Sequence, residues 1–197
     1  GRFFQIRGVG ERSQFVDPIN PSVGLIIDGI DFTGVGGAAT TLDIKQLEVL
    51  RGPQGTLYGA NALAGLINMV SNDPGEAGGN IRLNVGQYGT REFSQAVSGP
   101  ISDNLAMRVA FAKNQSDGYI DNTYLHRDDV NNIDESSARV KLHWQASDTS
   151  QLKFTAYYVD ADNGYDAFSL DNTRETYSDQ PGQDTLQTQA LAVQYDY

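Results

Sequence analysis

Beyond residue 76 the chain is written with a period of two, and that alternation confines it to β-strands covered on one face. Leu105, Met107, Val109 and Phe111 alternate with Ala106, Arg108, Ala110 and Ala112. Ala138, Val140, Leu142 and Trp144 alternate with Arg139, Lys141, His143 and Gln145, and Leu152, Phe154, Ala156 and Tyr158 with Lys153, Thr155 and Tyr157. The same grammar holds for Ile81, Leu83 and Val85 and for Leu191, Val193 and Tyr195; between 90 and 99 only Phe93 and Val97 mark an apolar face. Six strands are predicted, near 79–87, 91–98, 105–114, 136–147, 151–162 and 186–197. Each is close to the ~9–11 residues that cross a bilayer at a tilt. Their connections are unequal: 99–104 and 147–150 are short, whereas 115–135 and 163–185 are long, polar and acidic. Alternating short and long connections place every long loop on one side, as in a transmembrane barrel. A soluble antiparallel sandwich satisfies the same alternation. No run approaches the ~20 apolar residues of a spanning helix, so a membrane location requires the barrel.

Residues 1–76 read differently. Short apolar strands are predicted at 3–7, 23–30, 48–51 and 66–71, separated by Gly-rich loops. The run Val23-Gly24-Leu25-Ile26-Ile27 lacks alternation, which predicts cover on both faces. A short helix is expected over 42–46, with Thr41 as N-cap and Asp43 in its first turn. The fold class expected is therefore mainly β with a small α+β part. A globular unit at 1–76 precedes antiparallel meander strands over 77–197 that make an incomplete barrel.

Charge and composition exclude several functions. Asp and Glu outnumber Lys and Arg by 25 to 14, a net charge of -11. Nucleic-acid binders draw their affinity from the opposite balance, so none is expected as a partner. Without Cys there is no disulfide framework, Cys zinc site or Cys nucleophile. The Gly34–Ala39 turn lacks the second βαβ unit of a dinucleotide site, and Gly52–Gly59 lacks the Lys of a phosphate loop. His126 and His143 have no nucleophile beside them, so no catalytic residue and no cofactor is expected. Asp160, Asp162 and Asp166 space oxygen ligands like a short calcium loop, against the plainer reading of a solvated acidic loop.

The most specific signal is a thirty-residue segment, Leu42-Asp43-Ile44-Lys45-Gln46-Leu47-Glu48-Val49-Leu50-Arg51-Gly52-Pro53-Gln54-Gly55-Thr56-Leu57-Tyr58-Gly59 continuing to Ser71. Upstream stand Ile6-Arg7-Gly8 and Leu25-Ile26-Ile27-Asp28-Gly29-Ile30. Together these resemble the plug of TonB-dependent receptors, with Ile6, Gly8, Asp28, Gly29, Glu48, Gly52, Pro53, Gly55, Tyr58 and Gly59 as motif positions. Residues 77–197 fit the family only by pattern, as the first strands of the barrel around the plug.

The resemblance implies an outer-membrane, energy-coupled importer of a scarce nutrient, first of all an iron–siderophore complex. It implies as partners the TonB-ExbB-ExbD complex, reached through an N-terminal box, and outer-membrane lipid. It also implies that Arg7 and Arg51 lie close together and anchor the plug by pairing with barrel glutamates. Two loops, 9–22 and 32–40, are the expected ligand surface, through Arg12, Gln14, Phe15, Asn20, Phe32 and Thr33. Another cargo, such as cobalamin or an oligosaccharide, and a structural barrel without energy coupling stay open. The chain opens at Gly1 inside a predicted strand with no signal peptide, so upstream segments are expected.

Overall fold

The computed structural model describes residues 3–11, 21–35, 41–55, 62–166, 168–169 and 171–197. In the first part, β1 (Gln5–Ile6) and β2 (Val9–Gly10) form a small hairpin. Then come β3 (Val23–Ile27), β4 (Ile30–Asp31), β5 (Ile44–Arg51) and β6 (Gly65–Ser71), which build a sheet in the order β4-β3-β6-β5. β3 pairs parallel to β6, and the other neighbours are antiparallel. All five residues of β3 are buried, as its unbroken apolar run predicts. Asp28 and Gly29 join β3 to β4 with φ of 49° and 80°. A two-residue hairpin with both centres at positive φ is the type I′ turn that the Asp-Gly pair favours. Gly65 sits at φ 152° where a Cβ would lie 2.5 Å from the Leu50 carbonyl and 2.6 Å from Ile6 Cδ1. Only glycine lets the β1 hairpin approach the sheet there.

One expectation fails in this region. Residues 44–46 are not helical: they open β5, which pairs antiparallel with β6 from Ile44 to Arg51. Asp43 stands at φ 53°, outside helical space, and Leu42 is buried beside Ala96 and Ala110 of the larger sheet. A five-residue helix satisfies few of its own backbone groups, whereas the ladder to β6 satisfies them along the strand.

The second sheet holds β7 (Gly78–Val85), β8 (Arg91–Ser102), β9 (Leu105–Ser116), β11 (Ile133–Ser147), β12 (Ser150–Gly164) and β14 (Gln183–Asp196). It is an antiparallel meander in the order β14-β12-β11-β9-β8-β7; β8, β9, β11 and β12 run a few residues past the predicted bounds, β14 starts earlier, and β7 ends two residues short of the predicted 87. Among the described residues β7 and β14 are its two edges. The turn at 86–90, the loop at 117–132 and the connection between β12 and β14 lie at one end, the short turns at the other. Two-residue strands β10 (Asp121–Asn122) and β13 (Glu175–Thr176) pair in parallel and knit the long loops together.

Alternation assigns the two faces. On one face lie Ala96, Ser98, Arg108, Ala110, Ser137, Arg139, Lys141, Thr155, Tyr157 and Val159, nearly all covered by the first unit. The other presents Val97, Met107, Val109, Phe111, Trp144, Leu191, Val193 and Tyr195 in the open. The main core crosses between the units: Leu25, Ile27, Phe32 and Met69 pack with Val159, supported by Tyr157 and Ala190. Burying such side chains contributes about 1.5–3 kcal/mol each, so the seam between the sheets is a true packing interface.

Candidate functional site at the seam between the sheets

The small sheet brings three aspartates to one end. Asp28 follows β3, Asp43 precedes β5, and Asp73 follows β6. Opposite them are two adjacent inward rows of the wall, Ala110–Arg139–Tyr157 and Arg108–Lys141–Thr155, aligned by strand register. Asp28 Oδ1 accepts the Ser71 amide at 2.8 Å, and Oδ2 accepts the Ser71 hydroxyl at 2.6 Å and the Tyr157 hydroxyl. Lys141 Nζ donates to Asp73 Oδ1 at 2.7 Å and to Ser71 Oγ at 3.2 Å, and stands 3.7 Å from Asp28 Oδ1. Arg108 grips Asp43 with two donors, Nε at 2.7 Å and Nη2 at 2.5 Å. Arg139 Nη2 adds 3.2 Å to Asp43 Oδ2 and 3.0 Å to the Leu42 carbonyl, while its guanidinium lies 5.5 Å from the Tyr157 ring centre.

Most of these charges are out of water, Asp73 at the rim being 46% exposed. The side chains of Asp43, Arg139, Lys141 and Asp28 are between 3% and 7% exposed. Asp28, Asp43 and Asp73 meet Arg108, Arg139 and Lys141, which balances the charge inside the seam, as buried charge requires, and the exposed Lys45 adds a contact of 4.0 Å to Asp73 at its rim. Burial raises the carboxyl pKa of each aspartate, but the bonds and cations beside it outweigh burial and hold all three below the usual range. For Asp28 these are Ser71, Tyr157 and Lys141; for Asp43, Arg108, Asn72 and Arg139; for Asp73, Lys141, His143 and Lys45. A seam of this kind is specific but separable. The desolvation cost of buried ions offsets most of their attraction, and separation returns hydration to both sides.

The sequence-derived residues are placed as follows. Asp28 and Gly29 form the type I′ turn, and Asp28 is also the centre of the seam. Glu48 accepts bonds from Gln46 and Asn68, and Gly52, at φ 86°, donates its amide to Ala64. Gly8 turns at φ 78°, and Ile6 packs over Gly65, whose strand partner is Arg51. Arg7 and Arg51 are exposed and make no ion pair among the described residues. Pro53 and Gly55 follow β5, while Tyr58 and Gly59 lie outside the described residues, as do Arg12, Gln14, Phe15 and Asn20.

Phe32, expected on the ligand surface, is instead 1% exposed and packs edge-on against Tyr157 at 5.2 Å. Thr33 turns inward to the same fold: its hydroxyl accepts the Leu25 amide at 3.0 Å. Both are structural, because the β3–β4 hairpin folds this segment onto the wall. Asp160 and Asp162 are strand residues, and Asp166 accepts Ser178 and Gly182. Among the described residues no group of three or more His, Cys, Asp or Glu is arranged to hold a metal.

Sequence reasoning placed Arg108, Arg139, Lys141 and His143 at the positions that alternate with the apolar rows. It missed Asp43 and Asp73 as their partners. Their contacts span 65 to 96 residues along the chain, and no local periodicity announces them.

A small mixed unit clamped by buried charge against the inner face of an antiparallel wall defines a barrel protein with a seated stopper. Comparison with known proteins agrees. Residues 1–66 match the TonB-dependent Receptor Plug Domain. The pesticin receptor of Yersinia pestis is 33% identical over 145 residues, covering 73% of this chain and 21% of the relative. A vitamin B12 transporter, BtuB of Vibrio vulnificus, is 27% identical over 150 residues, covering 72% of this chain and 24% of its own length. Among solved structures, the ferric yersiniabactin uptake receptor FyuA of Yersinia pestis superposes with a TM-score of 0.78 at 28% identity, covering 89% of this chain and 29% of that one. The chain belongs to the TonB-dependent receptors, a receptor and transporter family rather than an enzyme class. It spans about a fifth of the length of the curated relatives it matches.

Proposed function

We propose that the parent of this chain is an energy-coupled outer-membrane receptor that imports a ferric siderophore, with residues 1–76 in the plug and 77–197 opening the barrel. The observation that carries this reading is the neutral, buried, separable charge seam. A stopper that must be held closed and yet be withdrawn needs such a contact. The boundary is supported by the family match over 1–66 and by the gap between β6, ending at Ser71, and β7, starting at Gly78. The cargo is supported by the likeness to a ferric yersiniabactin receptor. Loop 9–22, through Arg12, Gln14, Phe15 and Asn20, is the proposed ligand contact, and Arg7 and Arg51 are proposed to pair with barrel glutamates of the longer parent. TonB, with ExbB and ExbD, would act through a segment upstream of Gly1.

The test is uptake by cells lacking their own siderophore receptors and supplied with the full-length parent. Radiolabelled ferric yersiniabactin should enter only when TonB is present. Cobalamin uptake in place of iron would replace the cargo, as the likeness to a vitamin B12 transporter allows. Entry independent of TonB would replace the mechanism by a passive barrel.

A further inference from the structure

We propose that Tyr88 is a positioning residue for ligand capture: it locks the three connections at the long-loop end of the wall into one standing body, so that an arriving ligand meets a surface already formed. This rests on reading the parent as a receptor whose long loops face the outside. The observation that carries it is a misfit between residue and backbone. The β7–β8 turn is closed by the Thr90 amide, which donates to the Gln87 carbonyl at 3.2 Å, and its two central residues, Tyr88 and Gly89, stand at φ 58° and 65°. Such a turn favours Asn or Asp before Gly. The same chain follows that preference at Asp28-Gly29. A bulky aromatic residue at positive φ is strained and persists only where its surroundings hold it.

Here they do. The Tyr88 carbonyl accepts the Asp117 amide at 2.9 Å and the Ser116 hydroxyl at 3.0 Å. Its ring meets Tyr119 edge-on, with 6.2 Å between ring centres. Its hydroxyl accepts Arg174 Nη1 at 2.8 Å, across 86 residues of chain. Gly89 permits the approach, because a Cβ there would overlap the Asp117 carboxylate. The hold continues beyond the turn. The Arg174 carbonyl accepts the Asp121 amide at 2.9 Å, where β10 and β13 pair. Asn122, 1% exposed, donates Nδ2 to the Ser178 carbonyl at 2.9 Å and accepts the Leu125 amide at 2.8 Å. Ile120 and Val130 of the same connection are buried. The three connections are therefore one folded body, and Tyr88 is the residue of the short turn that reaches both long ones. Order set up in the free protein need not be imposed at binding, which raises affinity without any new contact.

The experiment uses the full-length parent purified in detergent, with amide hydrogen exchange read by mass spectrometry over 117–123 and 174–178, with and without ferric yersiniabactin. Tyr88→Asn is the informative variant, because Asn tolerates the left-handed φ and leaves the turn itself at least as stable. The lock predicts faster exchange, by about tenfold, in both long connections together, with the short turns at 99–104 and 147–150 unchanged. A residue that served only its own turn would leave exchange outside 86–90 at the wild-type rate, and that result would overturn the proposal. Tyr88→Phe keeps the ring and drops only the bond from Arg174, so 174–178 should loosen more than 117–123. Saturating ferric yersiniabactin should slow exchange little in the wild type and by about tenfold in Tyr88→Asn, where the ligand must impose the order, and the variant's affinity should fall by a similar factor. Unchanged affinity in a variant with loosened connections would defeat the capture role. Failure of the wild type to bind ferric yersiniabactin would defeat the cargo reading, and with it capture of that ligand, while exchange without ligand still decides the lock.

Discussion

Lys141 is the residue on which the seam turns, because its ammonium serves Asp28, Asp73 and Ser71 at once. Lys141→Met keeps the stem and removes the charge. Asp73 is 46% exposed and can rehydrate, but Asp28 cannot. Removing one partner of a buried pair costs about 3–5 kcal/mol, and the lower end applies here because Ser71 and Tyr157 still bond to Asp28. In the full-length parent the loss should appear as a lower unfolding midpoint in denaturant. Adding Asp28→Asn to Lys141→Met should recover part of it, since the stranded charge is gone; a purely additive double variant would show that the two do not interact. The pH dependence has a definite sign. The pKa values of Asp28, Asp43 and Asp73 are lower in the folded state than the ordinary 3.8, so their stabilisation is complete above that value and is lost as pH falls through the lowered ones. Protease resistance of the plug should hold from neutral pH to about 5 and fall only below about 4. An Asp43→Asn parent should show a shallower acid loss, and an onset near pH 6 would point to another group.

At the scale of elements, what could be read in advance was what local chemistry dictates. Period two located six strands, because one covered face and one open face leave a mark on every second residue. The Asp28-Gly29 turn was legible for a similar reason: few residue pairs tolerate two positive φ values in succession. Residues 42–46 misled because a cap and an acidic first turn are weak local preferences, and pairing with β6 overrode them. Phe32 misled because a loop position was inferred from order along the chain, while its burial comes from Tyr157, more than a hundred residues away. The facing of the wall is directly testable. Val109 is 36% exposed on the outward face, and its neighbour Ala110 is 1% exposed under Leu42. Spin labels at the two positions in the reconstituted parent should differ, with position 109 relaxed by lipid-soluble oxygen and position 110 shielded. Equal relaxation would mean that the faces are wrongly assigned, and with them the seam.

For the molecule as a whole, the decisive quantity is the number of strands. Six strands run from β7 to β14, and among the described residues neither edge pairs with anything beyond its one neighbour. Closing a barrel requires strand number, tilt and shear to agree, and eight strands already leave room for little more than side chains. A six-stranded ring could not enclose the small sheet that here covers its inner face. The edges therefore stay open, and unpaired N–H and C=O groups invite pairing with other chains. The outward face adds to the problem. Ile81, Leu83 and Val85 on one edge, and Leu191, Val193 and Tyr195 on the other, are each at least 58% exposed. A contiguous apolar surface of this extent drives association in water. Expressed by itself, the 197-residue chain should need detergent to stay dispersed, whereas residues 1–76, whose apolar strand β3 is enclosed between β4 and β6, should aggregate less. Light scattering on both in plain buffer tests this. A monodisperse monomer of the whole chain would mean that the outward face is covered by a rearranged sheet, and the membrane reading of that face would have to be given up.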